Sequence, residues 1–196
     1  MAKPDRNNVG NSRAEAAIAF GSLDSCAVHE AGHAVAAQVL SVPHDGATVE
    51  PDRCGSYPTA PNPAGETFII DPRPGWRRVM GPKKPIAQNL AICLYAGRAA
   101  ELCIFGHDVG GHERDYSEVR SIILWARREN TIGLLQWQAL QRRLVRRADA
   151  LVRENEVAVR RVAAALQMRG ALSREEISEL VGLAGPVAPP DSWHPD

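Results

Sequence analysis

Aromatic residues are scarce. Phe, Tyr and Trp make up 5% of the 196 residues, while the hydrophobic total reaches 44%. That imbalance disfavours a sheet-sandwich core and favours helices packed through alanine and leucine. Cysteine is sparse too: Cys26, Cys54, Cys93 and Cys103 form no Cys-x-x-Cys pair and lack the density of a disulfide framework. Cys93 and Cys103 fall in an apolar helical run and are expected to be buried thiols. Net charge is absent, because 23 basic residues balance 23 acidic ones. No whole-protein field therefore argues for nucleic acid or an anionic membrane. No stretch approaches the length and apolarity of a membrane span, and Met1 to Asn8 lack the apolar core of a signal peptide. The expectation is a cytoplasmic protein with no nucleic-acid partner and no membrane insertion.

What is present is the run from Cys26 to Val35, Cys-Ala-Val-His-Glu-Ala-Gly-His-Ala-Val. It reads as a helix, and residues four apart on a helix share a face, so His29 and His33 present two imidazoles to one point. Glu30 sits beside them, about 100° round the axis. Zinc held by neutral imidazoles lowers the pKa of water at an open position and leaves the neighbouring carboxylate to act as general base, the His-Glu-x-x-His arrangement of zinc peptidases. Gly32 inside the motif weakens the helix by up to about 1 kcal/mol relative to alanine, which points to a close approach there.

Two histidines supply only part of a zinc site, so a third ligand comes from elsewhere. Glu101 continues the packed face traced by Ile86, Leu90, Leu94 and Gly97. A carboxylate on that face needs a partner: a metal, a ligand histidine or Arg98. Asp115, near the start of a later helix, reads either as a ligand or as an ordinary N-cap. Cys26 lies close enough to the motif that a different zinc hydrolase would draw it, or Glu101, into the metal shell.

The chain divides into a disordered tail over residues 1–12, one domain over 13–183 and a second disordered tail over 184–196. An amphipathic piece over Arg13–Phe20 precedes the motif helix, which is capped by Asp24 and runs from Ser25 to about Leu40. Two strands follow, Ala47–Glu50 and Glu66–Ile70, separated by the irregular stretch Pro51–Gly65. An exposed edge there suits an extended peptide. Pro72 to Lys84, with Arg73, Arg77, Arg78, Lys83 and Lys84, reads as a solvated basic loop. Helices are expected over Ile86–Phe105 and Asp115–Arg128. A further helical stretch spans Thr131 to Met168, broken near Gly133 or between Asp149 and Asn155. Ten arginines between Arg127 and Arg169 mark solvated faces. Ser173-Arg174-Glu175-Glu176 is a capping box opening a last helix, Arg174–Val181. The expected fold is mainly α, with a small β-sheet between the first two long helices.

Three separated pieces carry a family resemblance: Val28-His29-Glu30-Ala31-Gly32-His33-Ala34; Ala96-Gly97-Arg98-Ala99-Ala100-Glu101 with Phe105-Gly106; and Arg114-Asp115-Tyr116. A weaker fourth lies between Leu151 and Leu180. In this order they resemble the proteolytic domain of FtsH-type AAA proteases, a zinc metallopeptidase family. The resemblance implies Zn2+ bound by His29, His33 and Asp115, Glu30 as catalytic base, and Glu101 as a supporting carboxylate. It implies cleavage of peptides or unfolded protein. The chain shows neither a nucleotide-binding loop nor an anchor, so the expectation is a stand-alone peptidase acting without an ATPase of its own, as a homo-oligomer or with a separate partner protein. The alternative is a non-catalytic, zinc-stabilised helical module that binds a protein partner.

Overall fold

The motif helix forms because its first free amides are satisfied and most of its surface is apolar. In the computed structural model, which describes residues 23–49, 66–69, 83–110, 112–127 and 133–182, Asp24 Oδ1 accepts from the amides of Cys26 (2.8 Å) and Ala27 (3.3 Å). Helix α1 then runs over Ser25–Val39. Ala27, Val28, Ala31, Ala34, Val35, Ala36 and Ala37 are all fully buried, so α1 is a core helix over most of its circumference.

Its largest neighbour is α2 (Lys83–Phe105). Lys83 and Lys84, read from the sequence as the end of a loop, are helical instead, and Pro85 falls within the first turn, where its missing N–H leaves no ladder bond unmade. Gly106, at φ +79°, closes α2 with its N–H on Leu102 O. Helix α3 (Glu113–Arg127) packs on α2. Next come α4 (Leu134–Glu154), which packs on α2, and α5 (Glu156–Arg169), which packs on α1. The break between α4 and α5 is one residue, Asn155, whose Nδ2 donates to Leu151 O at 2.8 Å. Gly133 is the cap before α4, so of the two expected breakpoints one starts this helical pair and the other divides it.

Helix α5 ends at Gly170, in the left-handed region at φ +78°. A strand follows at once. Strand β3 (Ala171–Ser173) pairs antiparallel with β1 (His44–Thr48), which pairs antiparallel on its other side with β2 (Glu66–Ile69). The sheet order is β2-β1-β3. Ala47 sits opposite Thr67 on one side and Leu172 on the other. The two strands between the first long helices were expected from the sequence, β1 starting three residues earlier than read. The third was not, and it makes β1 the central strand. Helix α6 (Arg174–Gly182) opens on the reciprocal capping box: Ser173 N–H donates to Glu176 Oε2 (2.8 Å), and Glu176 N–H donates to Ser173 Oγ (3.3 Å).

The fold is mainly α with a small antiparallel sheet. No described helix is long and apolar enough to cross a membrane. Cys93 is buried, while Cys103 is only partly so, correcting the expectation of two buried thiols. The two expected tails, Arg13–Phe20, Pro51–Gly65, the basic stretch before Lys83 and Cys54 lie outside the described residues.

Candidate metal centre

His29 and His33 stand one turn apart on α1, their rings edge to face with centroids 4.6 Å apart. Each ring is held from behind through Nδ1. His29 Nδ1 donates to Glu101 Oε1 at 2.7 Å, and His33 Nδ1 donates to the carbonyl oxygen of Cys93, also at 2.7 Å. A carbonyl can only accept, so the His33 proton resides on Nδ1, and in the neutral ring the Nε2 lone pair is free to bind. The Glu101 carboxylate sets the same tautomer in His29.

Both Nε2 atoms meet the same oxygen. Asp115 Oδ2 lies 3.2 Å from His29 Nε2 and 3.4 Å from His33 Nε2. Asp115 is the third residue of α3, inside the first turn, where the helix dipole favours a carboxylate. The donor atoms of His29, His33 and Asp115 all lie within 4.8 Å of one another. Space for this convergence is made on α2. A Cβ on Gly97 would stand 2.6 Å from His33 Nε2 and 2.7 Å from His29 Nε2. Gly32 has a matching role on α1, because a Cβ there would collide with the carbonyl oxygen of Ala96. The close approach expected at Gly32 is thus the approach of α2.

Glu30, 6% exposed, sits near enough to act electrostatically on both imidazoles. Burial by itself pushes the His29 pKa down, but its hydrogen bonds to Asp115 and Glu101 and the Glu30 charge outweigh it, and in metal-free protein the group is pushed up to about 10. His33 is raised as well, against its burial, chiefly by the Asp115 charge. Asp115 is held well below the usual carboxylate range, against its burial, by the imidazolium charge of His33 and by both histidine hydrogen bonds. Three carboxylates around two imidazoles make a place that favours positive charge. Protons supply it when nothing else does.

No family model and no curated protein matches the chain. The site is therefore read on its own chemistry. Two imidazole nitrogens and a carboxylate oxygen converge, each ring nitrogen is backed by an acceptor, and a glycine leaves the space between them clear. This donor set fits a metal ion, and His29, His33 and Asp115 could hold one. The structure brings together the four site residues named from sequence, His29, Glu30, His33 and Asp115. Glu101 and Cys26 are not among the converging donors. Glu101 instead spans His29 and the backbone N–H of Val109, which donates to its Oε2 at 2.7 Å. Arg98, one of the partners considered for Glu101, pairs with Asp108: Nε donates to Oδ2 at 3.0 Å and a terminal nitrogen lies 2.8 Å from the same oxygen. Asp108 and the Cys93 carbonyl escaped the sequence reading. A backbone carbonyl has no residue signature, and an aspartate in a polar, glycine-rich loop looks like any other.

Proposed function

We propose that the protein is a zinc-dependent metallopeptidase, similar to the FtsH-type peptidase domain, that hydrolyses peptide bonds in peptides or unfolded protein. The observation that carries this reading is the convergence of His29 Nε2, His33 Nε2 and an Asp115 oxygen beside the buried Glu30 carboxylate. In it, His29, His33 and Asp115 bind the metal, and three protein ligands rather than four leave a position for substrate or water. Zinc, when bound, supplies Lewis acidity to water and to a peptide carbonyl. Glu30 accepts the proton that the attacking water gives up and returns it to the departing amine nitrogen. Glu101 and the Cys93 carbonyl keep each imidazole in the tautomer that offers Nε2. His33 and Glu101 are nearly sealed, whereas His29 and Asp115 keep some solvent exposure, which puts the accessible side of the site with the latter pair.

The test uses protein stripped by a chelator, reloaded with zinc and offered an unstructured peptide library. Cleavage is expected to depend on zinc, and Glu30→Gln is expected to lower it by about 10²–10⁴-fold at unchanged zinc content. Failure to cleave any peptide, or cleavage indifferent to Glu30→Gln, overturns the enzyme reading. The second reading, a zinc-stabilised module that binds a protein partner, draws on the exposed arginines 142, 143, 146 and 147 along α4. It predicts stoichiometric zinc with no turnover.

A further inference from the structure

Helix α2 contributes more to the site than the space at Gly97. One turn of it, Gly97 to Glu101, faces α1 through Gly97 and Glu101 and faces the segment Gly106–Gly110 through Arg98 and Glu101. That segment leads into α3, and the third residue of α3 is Asp115. The connection is tied to α2 twice at adjacent residues: the Asp108 side chain by Arg98, and the Val109 N–H by Glu101. The Arg98 guanidinium also lies against the hydroxyl of Tyr116, the residue after Asp115. The Tyr116 ring packs edge to face on Tyr95 of α2, with centroids 4.9 Å apart.

Gly106 and Gly110 both have positive φ, at +79° and +90°. Glycine explores backbone space widely, so a connection bounded by two of them has little stiffness of its own. Its position must come from side-chain ties. The Arg98–Asp108 pair is part-buried, with side-chain exposures of 29% and 31%, and Nε and a terminal nitrogen of Arg98 both reach one carboxylate oxygen, at 3.0 Å and 2.8 Å.

We infer that Arg98 is a positioning residue for the metal centre: by holding Asp108 just ahead of α3, beside the Tyr116 side chain that packs on Tyr95 of α2, it fixes the first turn of α3 so that Asp115 Oδ2 meets the two imidazole nitrogens. The inference rests on the reading of His29, His33 and Asp115 as metal ligands, and it concerns preorganisation of the third ligand, not the reaction. Arg98 touches none of the three donors. Its effect passes through the loop on one side and Tyr116 on the other. Lysine is a poor replacement, because its single ammonium nitrogen cannot reproduce the two-nitrogen contact that the rigid guanidinium makes with Asp108.

The experiment compares wild type with Arg98→Gln, Arg98→Lys and Asp108→Asn, and with two controls on α5, which carries none of the donors. Leu166→Ala opens the core at α5, and Arg160→Gln breaks the Arg160–Glu156 surface pair. Zinc affinity is measured by chelator competition, and the visible spectrum of the Co2+-substituted protein reports ligand geometry. The three latch variants are expected to lose about tenfold to hundredfold in zinc affinity and to alter the Co2+ spectrum. Leu166→Ala, though less stable, and Arg160→Gln are expected to keep the wild-type spectrum and an affinity within about twofold of wild type. Latch variants that retain the wild-type spectrum, or that lose affinity only in step with thermal stability as Leu166→Ala does, overturn the inference.

Amide hydrogen exchange in metal-free protein gives a second readout. Arg98→Gln is expected to speed exchange at the start of α3, around Tyr116, by at least tenfold relative to the rest of that helix, and Leu166→Ala is not. Uniform exchange across α3 in Arg98→Gln overturns the latch even if wild type takes up no metal, and an absence of metal uptake by wild type overturns the metal reading separately.

Discussion

Gly97 and His29 set the behaviour of the site at the scale of single residues. A Cβ at residue 97 would press on both Nε2 atoms, the atoms that converge on Asp115, while each ring is anchored behind, by Glu101 and by the Cys93 carbonyl. Gly97→Ala is therefore expected to weaken zinc binding at least tenfold. Metal-free stability is expected to fall as well, by about 1–3 kcal/mol, because the anchored rings cannot move aside without giving up hydrogen bonds, and the better helix propensity of alanine offsets only up to about 1 kcal/mol. Chelator competition alongside thermal unfolding checks this, and unchanged zinc affinity would show that the glycine is incidental. The pH dependence follows from the same groups. The His29 pKa in folded metal-free protein, about 10, is above the ordinary 6.5, so its stabilising contribution is complete below pH 6.5 and drains away as pH rises toward 10. Asp115, depressed, contributes above its ordinary 3.8 and loses that contribution as pH falls further. A metal ion held there requires neutral imidazoles and would displace those protons. The rise in unfolding temperature on adding saturating zinc is expected to be larger at pH 8 than at pH 6, and an equal rise at both would contradict the assignment of His29 as ligand. The sequence marks His29, Glu30 and His33 because one helical turn separates the ligands. It cannot mark the acceptor behind His33, which is a peptide carbonyl sixty residues away.

Elements bring these residues to one place, and the decisive contact is α1 against α2. Gly32 faces the backbone of Ala96 so closely that no side chain fits between the helices. Gly32→Ala is expected to destabilise the fold by about 1–3 kcal/mol through overpacking, since a backbone carbonyl cannot rotate aside as a flexible side chain can. A denaturant midpoint indistinguishable from wild type would mean the helices separate freely. The alanine-rich pattern of Ser25–Val39 made a buried helix legible in the sequence, with its Asp24 cap, and the same holds for the capping box at Ser173. Boundaries were less legible where the local signal was weak. Pro85 suggested a helix beginning after Lys84, yet α2 starts at Lys83, because proline is tolerated anywhere in the first turn. Strand β3, three residues between a left-handed glycine and a helix cap, is too short to carry periodicity. Only its partner β1 identifies it.

Among the described residues the fold closes when α5 and β3 return to α1 and β1. Helix α5 packs on α1, and β3 completes the sheet beside β1. Gly46 is where that return is tightest: at φ +130° it adopts a conformation L side chains avoid, and a Cβ there would strike the Leu172 carbonyl. Gly46→Ala is expected to destabilise the protein by about 1–3 kcal/mol by combining backbone strain with loss of the β1–β3 pairing. Zinc affinity of the folded fraction is expected to stay near wild type, because His29, His33 and Asp115 lie on other elements; a parallel loss of zinc binding would tie the sheet to the metal centre. By itself the sequence determined the mainly α class, the central buried helix, its cap and the paired imidazoles with their neighbouring carboxylate, because each of these depends on residues within a few turns of one another. Only the tertiary structure decided that the Asp115 oxygen meets both imidazoles, that Glu101 backs a histidine while Arg98 grips Asp108, and that a third strand pairs with β1. Those contacts join residues up to 127 positions apart, and at such separations partner choice is settled by how helices and strands pack, which no local pattern records.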